Sequence, residues 1–411
     1  MYKKHIYLSI IMGSGVLLNY TASIFGTYVF SKNDYGMFIL LLSWMVMIFS
    51  IYSLGIHNAI IKKINYYKVN NAEKVRSSID TAIKTVFIGG IIVSILIAFI
   101  LFGIDVDDSY QELILSFCLL GIVYGIGITL SKAFQGLNKP YVALLLSNTS
   151  YYSAMLLSFL ITWLLNLSLI ETILLFAICY VLVVISSIVY LCKICPKYVG
   201  RITKLGSFGY KYLAILTTSS VLSYGTNNGM LIALGYIGNI QEVAIFAVNY
   251  NLSKLPFLIH VLTTTLFNQK FSLAYEKGEI EIMRSLYKRH TKISIALSSI
   301  LILFIYIFSD VIFSFYNKGY IDKNLFYLLL LGTWFQVSCG PVDSILWLSK
   351  YAKIEMYNLL LQLSVQIILG VLLYSLYGLI GLACGIVAGI VLVQITRMIQ
   401  SHLTLRISLL S

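Results

Sequence analysis

Charge is what this sequence has least of. Only 11% of its 411 residues are Asp, Glu, Lys or Arg, less than half the roughly 25% of a soluble domain. Proline is scarce, with four residues. There is no Walker loop, no dinucleotide fingerprint and no Ser/His/Asp arrangement, which argues against nucleotide-driven work by this chain and against an enzyme. A long soluble segment is also missing: twelve membrane helices of about 20 residues would leave about 170 for termini and eleven connections. What is present is apolar, at 59% hydrophobic residues and a mean hydropathy of +0.89. A bilayer is the environment this composition suits.

Apolar windows between charged or turn-rich breaks fall near 6–30, 37–61, 82–104, 112–130, 141–165 and 169–191, then near 210–235, 243–266, 292–313, 325–348, 355–376 and 379–401. The first is too long for a signal peptide and lacks a small-residue cleavage site. With the N-terminus in the cytoplasm, that side receives 25 of the 29 Lys and Arg residues, whereas the other holds only Lys32, Lys318 and Lys323 against nine acids. The positive-inside rule then expects both termini in the cytoplasm. The net charge of +13 is largely a topology signal with some attraction to anionic headgroups, and it gives no support to nucleic-acid binding.

The expected fold is all-α and polytopic, about twelve transmembrane helices in two six-helix bundles. The N-terminal half is 1–191, a basic cytoplasmic linker covers 192–209, and the C-terminal half is 210–411. An internal repeat supports the division. At an offset of 208, Tyr28, Val29, Asp34 and Phe38 face Tyr236, Ile237, Glu242 and Phe246, and Glu73, Arg76 and Ser77 face Glu281, Arg284 and Ser285. At 210, Leu169 and Ile170 face Leu379 and Ile380. Parallel repeats of this kind belong to transporters that bind substrate between their halves near the midplane and rock about it.

One basic residue belongs to neither face. Lys254 lies near the middle of the eighth window, where a charge costs about 2.5–3.5 kcal/mol and normally faces a bundle interior or a wet cavity. Tyr250 and Asn251 stand one turn before it, with Asn249 close by, and Pro256 follows, which predicts a kink that frees the carbonyl of Leu252. A cation there prefers an anionic substrate. Asp343, after Gly340 and Pro341, is the only carboxylate more than a turn inside a window, and it is open between ion coupling and a salt bridge to Lys350 at the cytoplasmic mouth. Two polar stripes complete the candidate set: Thr217, Ser220, Tyr224 and Asn227 in the seventh window, and Gly15, Asn19 and Ser23 in the first. Their amides and hydroxyls suit sugar hydroxyls, so Lys254, Asn251, Tyr250, Asn19, Tyr224 and Asn227 are the expected substrate-binding residues.

Other signals read as structural. Cys192 and Cys195 form a CxxC without a second pair, short of the four ligands of a structural zinc site, so no metal or other cofactor is expected. His290 reads as a cytoplasmic-edge residue and His57 as lying near that edge. His260 lies six residues from Lys254, on another helix face. Gly381, Gly385 and Gly389, like Gly121 and Gly125, repeat every four residues and permit close helix approach.

Twelve spans in two halves, the outer loop SKNDYGMF at 31–38, a basic second loop and QGLNKPYV at 135–142 together resemble the polysaccharide-transport family, a branch of the multidrug/oligosaccharidyl-lipid/polysaccharide exporters. The likeness is closest to Wzx-type flippases for O-antigen or capsule repeat units. It implies translocation of an undecaprenyl-pyrophosphate-linked oligosaccharide to the outer leaflet of a bacterial inner (plasma) membrane, coupled to a proton gradient, a sodium gradient or neither. It also implies a polysaccharide polymerase and a chain-length regulator as partners, besides membrane lipids. Related flippases hold cations in a central cavity, and Lys254 is the position here that fits. No second mid-depth Lys or Arg falls within these windows, which would leave helix N-termini and amides to share the pyrophosphate. A multidrug cation exporter of the same superfamily, and a polysaccharide polymerase or ligase, stand as alternatives.

Overall fold

The structure is a computed structural model that describes residues 2–70, 73–103, 108–195, 208–349 and 351–405. Most of the expected linker (196–207), the acids Asp105 and Asp107, Lys350 and the chain's end from 406 lie outside the described residues. No strand occurs among the described residues. The first helices are α1 (Tyr2–Val29), α2 (Lys32–Tyr52), α3 (Ile56–Asn70), α4 (Glu73–Gly103) and α5 (Asp108–Gly136). Next come α6 (Pro140–Leu144), a π-turn (Leu145–Thr149), α7 (Ser150–Leu165) and α8 (Leu169–Ile194). The remainder are α9 (Tyr210–Ile237), α10 (Ile240–Ser253), α11 (Phe257–Glu276), α12 (Ile280–Ile307), α13 (Ser309–Ser314), α14 (Lys323–Ser338), α15 (Val342–Leu348) and α16 (Ala352–Leu405).

Each of the twelve apolar windows has a helical counterpart. Eight described helices are long and apolar enough to cross a membrane, nine if α14 and α15, bent by 48° across their break, count as one span. α16 is two arms rather than one helix, because Gly378 interrupts it at φ 58° and ψ −139°. An L-residue with a side chain rarely adopts that backbone. The chain is a polytopic, all-α membrane protein.

Two compact units are present, 1–224 and 225–411, with the division inside α9. In the first unit α5 is the central post, packed by α2, α3, α4, α6 and α8. In the second unit α14 has that role, packed by α10, α11, α12 and α16. Each post is the fourth span of its half.

Capping accounts for the acids that repeat at the starts of α2 and α10. Ser31 accepts from the backbone N–H of Asp34 at the start of α2. Before α10, Glu242 accepts from the N–H of Asn239 at 3.1 Å, and Asn239 accepts from the N–H of Gln241. The first turns of a helix leave donors unsatisfied, and a short polar or acidic side chain completes them. Phe38 and Phe246, four residues on from these acids, are fully buried. The sequence repeat therefore marks matching helix starts.

The glycine repeats are packing surfaces. A Cβ on Gly385 would lie 2.3 Å from the backbone nitrogen of Gly370, and one on Gly381 would meet the carbonyl of Leu373. The two arms of α16 thus approach to backbone contact. Gly385→Leu is expected to lower the midpoint of thermal unfolding in detergent, or to abolish the monodisperse species, since overpacking costs about 1–3 kcal/mol or more. Gly13→Ala, where nothing stands within 4 Å of the added atom, should leave the midpoint unchanged. Size-exclusion thermostability measurements of the two variants provide the comparison.

Candidate functional site

The eighth span breaks where Lys254 stands. α10 stops at Ser253, Lys254 is its C-cap, and the chain turns through 254–256 before α11. Contrary to the expectation from Pro256, the carbonyl of Leu252 is not freed. It accepts from the N–H of Leu255 at 3.2 Å, and that of Asn251 accepts from the N–H of Lys254 at 3.1 Å. The helix tightens to i→i+3 pairing before the proline, so the carbonyl of Leu252 keeps a partner.

Lys254 is half-buried, and its Nζ lies 3.8 Å from the centroid of the Tyr250 ring. Tyr250 is buried and stacks on Phe246 at 5.7 Å. A cation over an aromatic face gains about 0.5–2 kcal/mol, which holds the ammonium at the break. Asn251 is half-buried on the same last turn of α10. Asn249 is turned elsewhere: its Nδ2 donates to the carbonyl of Tyr320 at 2.9 Å, and its Oδ1 accepts from the N–H of Asp322 at 3.2 Å. It ties α10 to the turn before α14 and does not extend the polar face of Lys254.

The remaining substrate-binding candidates stand on α1 and α9. Asn227 is exposed on α9, and Asn19 is half-buried on α1. The stripes that contain them are partly used for packing. Gly15 admits the backbone of Asn148–Thr149, Ser23 Oγ lies 3.3 Å from the Tyr35 hydroxyl, and Ser220 Oγ accepts from Asn58 Nδ2 at 3.1 Å. Tyr224 stands within electrostatic reach of Tyr124, at the edge of an aromatic group in which Tyr151 packs edge-on against Tyr124, Tyr152 and Tyr180. Asp343 faces His260, with 3.8 Å between Oδ1 and Nε2.

A further polar feature stands at the edges of the expected spans. On the first arm of α16, Glu355, Asn358, Gln362 and Gln366 form one buried stripe; on the second arm Gln394, Arg397 and Ser401 are buried. Arg397 grips Glu355 with two nitrogens, Nη2 to Oε1 and Nε to Oε2, the latter at 3.1 Å. Asn358 Nδ2 donates to Glu355 at 3.3 Å and to Gln400 at 2.7 Å. Sequence position alone puts Arg397 at the cytoplasmic end and Glu355 at the opening of a window. The i, i+3, i+7, i+11 spacing of polar residues in an apolar helix is the signal that points inward.

Two of the histidines expected at or near the cytoplasmic edge, His57 and His290, are enclosed by the protein. His290 lies between two hydroxyls, Ser294 Oγ at 3.3 Å from Nδ1 and Thr264 Oγ1 at 3.5 Å from Nε2. Cys192 and Cys195 are free thiols, and Arg76 Nη2 reaches Cys192 Sγ at 3.5 Å. Among the described residues no group of three His, Cys, Asp or Glu is arranged to hold a metal ion.

Comparison with known proteins gives a fold. No protein family profile matches the chain, and no curated protein matches it. Solved structures do. An inward-facing multidrug resistance MATE family transporter of the MOP superfamily superposes with a TM-score of 0.76 at 12% identity, covering 97% of this chain and 98% of the other. A MOP superfamily transporter from Pyrococcus furiosus gives 0.72 at 15% identity, with 98% and 95% covered. A mutant of the Vibrio cholerae MATE transporter VcmN gives 0.70 at 13%, with 98% and 97% covered. The chain thus shares the fold of these solved transporters.

The Glu355–Arg397 pair should behave as a buried ion pair. Arg397→Leu alone is expected to destabilise the folded protein by about 3–5 kcal/mol, and the double replacement Glu355→Leu with Arg397→Leu to recover most of it, because only the single variant strands a charge. Thermal unfolding of the two single variants and the double variant in one lipid environment measures this coupling.

Proposed function

We propose that this chain moves its substrate across a membrane by alternating access, and that the substrate is an undecaprenyl-pyrophosphate-linked oligosaccharide repeat unit carried to the outer leaflet of a bacterial inner membrane. The observation that carries the reading is Lys254: a cation within a span, at a helix break, resting on the Tyr250 ring. No carboxylate pairs with it in a salt bridge among the described residues. A half-buried ammonium within an apolar segment and without an ion-pair partner favours an anionic group, and a pyrophosphate is one. Asn251 and Tyr250 would meet the headgroup side, with Asn19, Tyr224 and Asn227 offering amides and a ring to sugars.

The motifs at 31–38 and 135–142 support the same substrate by resemblance, and the charge bias favours both termini in the cytoplasm. On this reading the partners are the lipid-linked oligosaccharide, membrane lipids, a polysaccharide polymerase and a chain-length regulator. A proton or sodium gradient is the candidate driving force.

A multidrug cation exporter is the second reading, favoured by the printed descriptions of the solved neighbours as multidrug transporters. It calls for a carboxylate free to receive a cation. The buried Glu355 is already bound to Arg397, which leaves Asp343, 3.8 Å from His260, as the carboxylate such an exporter would use.

Lys254→Ala is expected to make lipid-linked repeat units accumulate on the inner leaflet and to reduce surface glycan about tenfold or more, equivalent to about 1.4 kcal/mol of lost interaction. Lys254→Arg should retain part of the activity. Extraction of lipid-linked intermediates together with surface glycan staining reads both. Normal glycan in the Ala variant, with drug sensitivity raised by deleting the chain, would transfer support to the exporter.

A further inference from the structure

His260 is the least satisfied ionisable group of the second unit. It lies on α11, directly after the break at Lys254, and is 5% exposed. Its Nδ1 is buried without a hydrogen-bond partner, and its ring stacks on Phe257 at 5.3 Å. The nearby His290 has a hydroxyl at each nitrogen and is satisfied as a neutral ring. Nothing fixes the tautomer of His260 in this way. The carboxylate of Asp343 is its nearest charged neighbour, and the 3.8 Å between them exceeds the roughly 2.7–3.2 Å of a made N–H···O bond.

We propose that His260 and Asp343 form a proton-binding site that latches the break in the tenth span. A proton from water is taken up on the imidazole, Nε2–H then donates to Asp343 Oδ1, and the gap closes to hydrogen-bond length. The Asp343 side chain is 35% exposed whereas that of His260 is 6% exposed, so the carboxylate is the open side of the pair and the proton enters there. In the uncharged state the contact is a long one between a neutral ring and a carboxylate; in the protonated state it is a buried, charge-assisted bond.

The position of Asp343 gives the proton a mechanical consequence. It lies in the first turn of α15, just past a turn in which Gly340 has φ +75° and is packed against Thr291 and Tyr287 of α12. Tyr287 donates to the carbonyl of Cys339 at 2.9 Å. α14 and α15 meet there at a bend of 48°, with α12 as the fixed wall. Drawing Asp343 toward α11 therefore fastens α15 against it, and releasing the proton frees α15 to move about the Cys339–Pro341 turn.

The other charged and titratable groups around His260 leave that balance to Asp343. From α12, His290 stands edge-on with ring centroids 6.2 Å apart, and Tyr287 is tied to the turn. From α16, Arg397 is within electrostatic reach, but its charge is matched by Glu355. On the preceding helix Lys254 is held over Tyr250. The part this proton plays in transport rests on the reading above; the binding itself does not.

Cys339 is buried at the break and serves as the reporter. In full-length protein in lipid nanodiscs, with the other five cysteines replaced, its maleimide labelling rate is measured from about pH 5.5 to about pH 8, the interval in which histidine changes charge. Rates are divided by those of the same protein carrying His260→Gln, which cancels thiol ionisation. The ratio is expected to fall about threefold or more on acidification as the latch closes, and to be flat when Asp343→Asn is added to both proteins. A flat ratio without Asp343→Asn overturns the proposal.

NMR of histidine-labelled protein without the reporter changes gives an independent reading. The resonance assigned by its loss in His260→Gln should titrate within the same interval and shift in Asp343→Asn. An imidazole that stays neutral throughout overturns the site. A closed latch in a protein whose deletion leaves lipid-linked intermediates unaltered would refute the flippase reading and leave the proton site standing.

Discussion

Hydrocarbon offers no hydrogen bonds, and the rest of this structure follows from that shortage. Every interruption of a membrane helix must pair its own backbone groups or borrow partners from a neighbour. At 254–256 the chain does the first, tightening into i→i+3 turns so that the proline arrives after the helix has ended. At Cys339–Pro341 it does the second, with the hydroxyl of Tyr287 supplying a donor to the carbonyl of Cys339. At Gly378 the interruption comes where the chain reverses between the arms of α16. Breaks are tolerated only where such partners exist, and these are the places where a span can bend.

The same shortage governs charge. Glu355 and Arg397 are almost fully buried because each supplies the other's counter-charge in a two-pronged contact, with Asn358 on one remaining lone pair. The histidines show what happens when compensation is incomplete. In each unit a buried histidine follows the break of the second span, His57 at the start of α3 and His260 at the start of α11, and each has an Nδ1 without a partner. Their surroundings differ. His57 rests on Phe49 at 5.0 Å and has Lys132 as its charged neighbour, whereas His260 faces a carboxylate. Two units with one order of helices have thus come to hold different chemistry at matching positions, and only the second offers an added proton a counter-charge.

Helix order and the capped helix starts were legible because they rest on local and repetitive signals: apolar length, capping acids and glycines four residues apart. Lys254 was legible because a lone charge in an apolar run is conspicuous. Arg397 and Glu355 were not, since a charge at the end of an apolar window reads equally well as a loop residue, and only its partner on the other arm of α16 decides the matter. Asn249 escaped for a related reason. Sequence places it beside Lys254, but the helix turns its amide toward the 320–322 turn, where two backbone groups require it. The freed carbonyl expected at Leu252 failed because the rule for a proline inside a helix presumes that the helix continues through it.

The position of Lys254 also depends on a difference between the repeats. α2 runs 21 residues before its break and α10 only 14, although both begin at equivalent capped turns. At 1.5 Å per residue these are about 31 Å and about 21 Å, against a hydrocarbon core of about 30 Å. If both helices start at the same membrane boundary, the first break would fall near the far boundary, where a polar residue is easily accommodated. The second would fall about two turns earlier, within the slab. Shortening α10 moves an interruption from the interface into the interior and carries Lys254, Tyr250 and Asn251 with it, while α11 begins early enough to place His260 deep as well. One change of helix length would thus set both the cation and the unsatisfied imidazole of the second unit further from the interface, where screening by water is weaker.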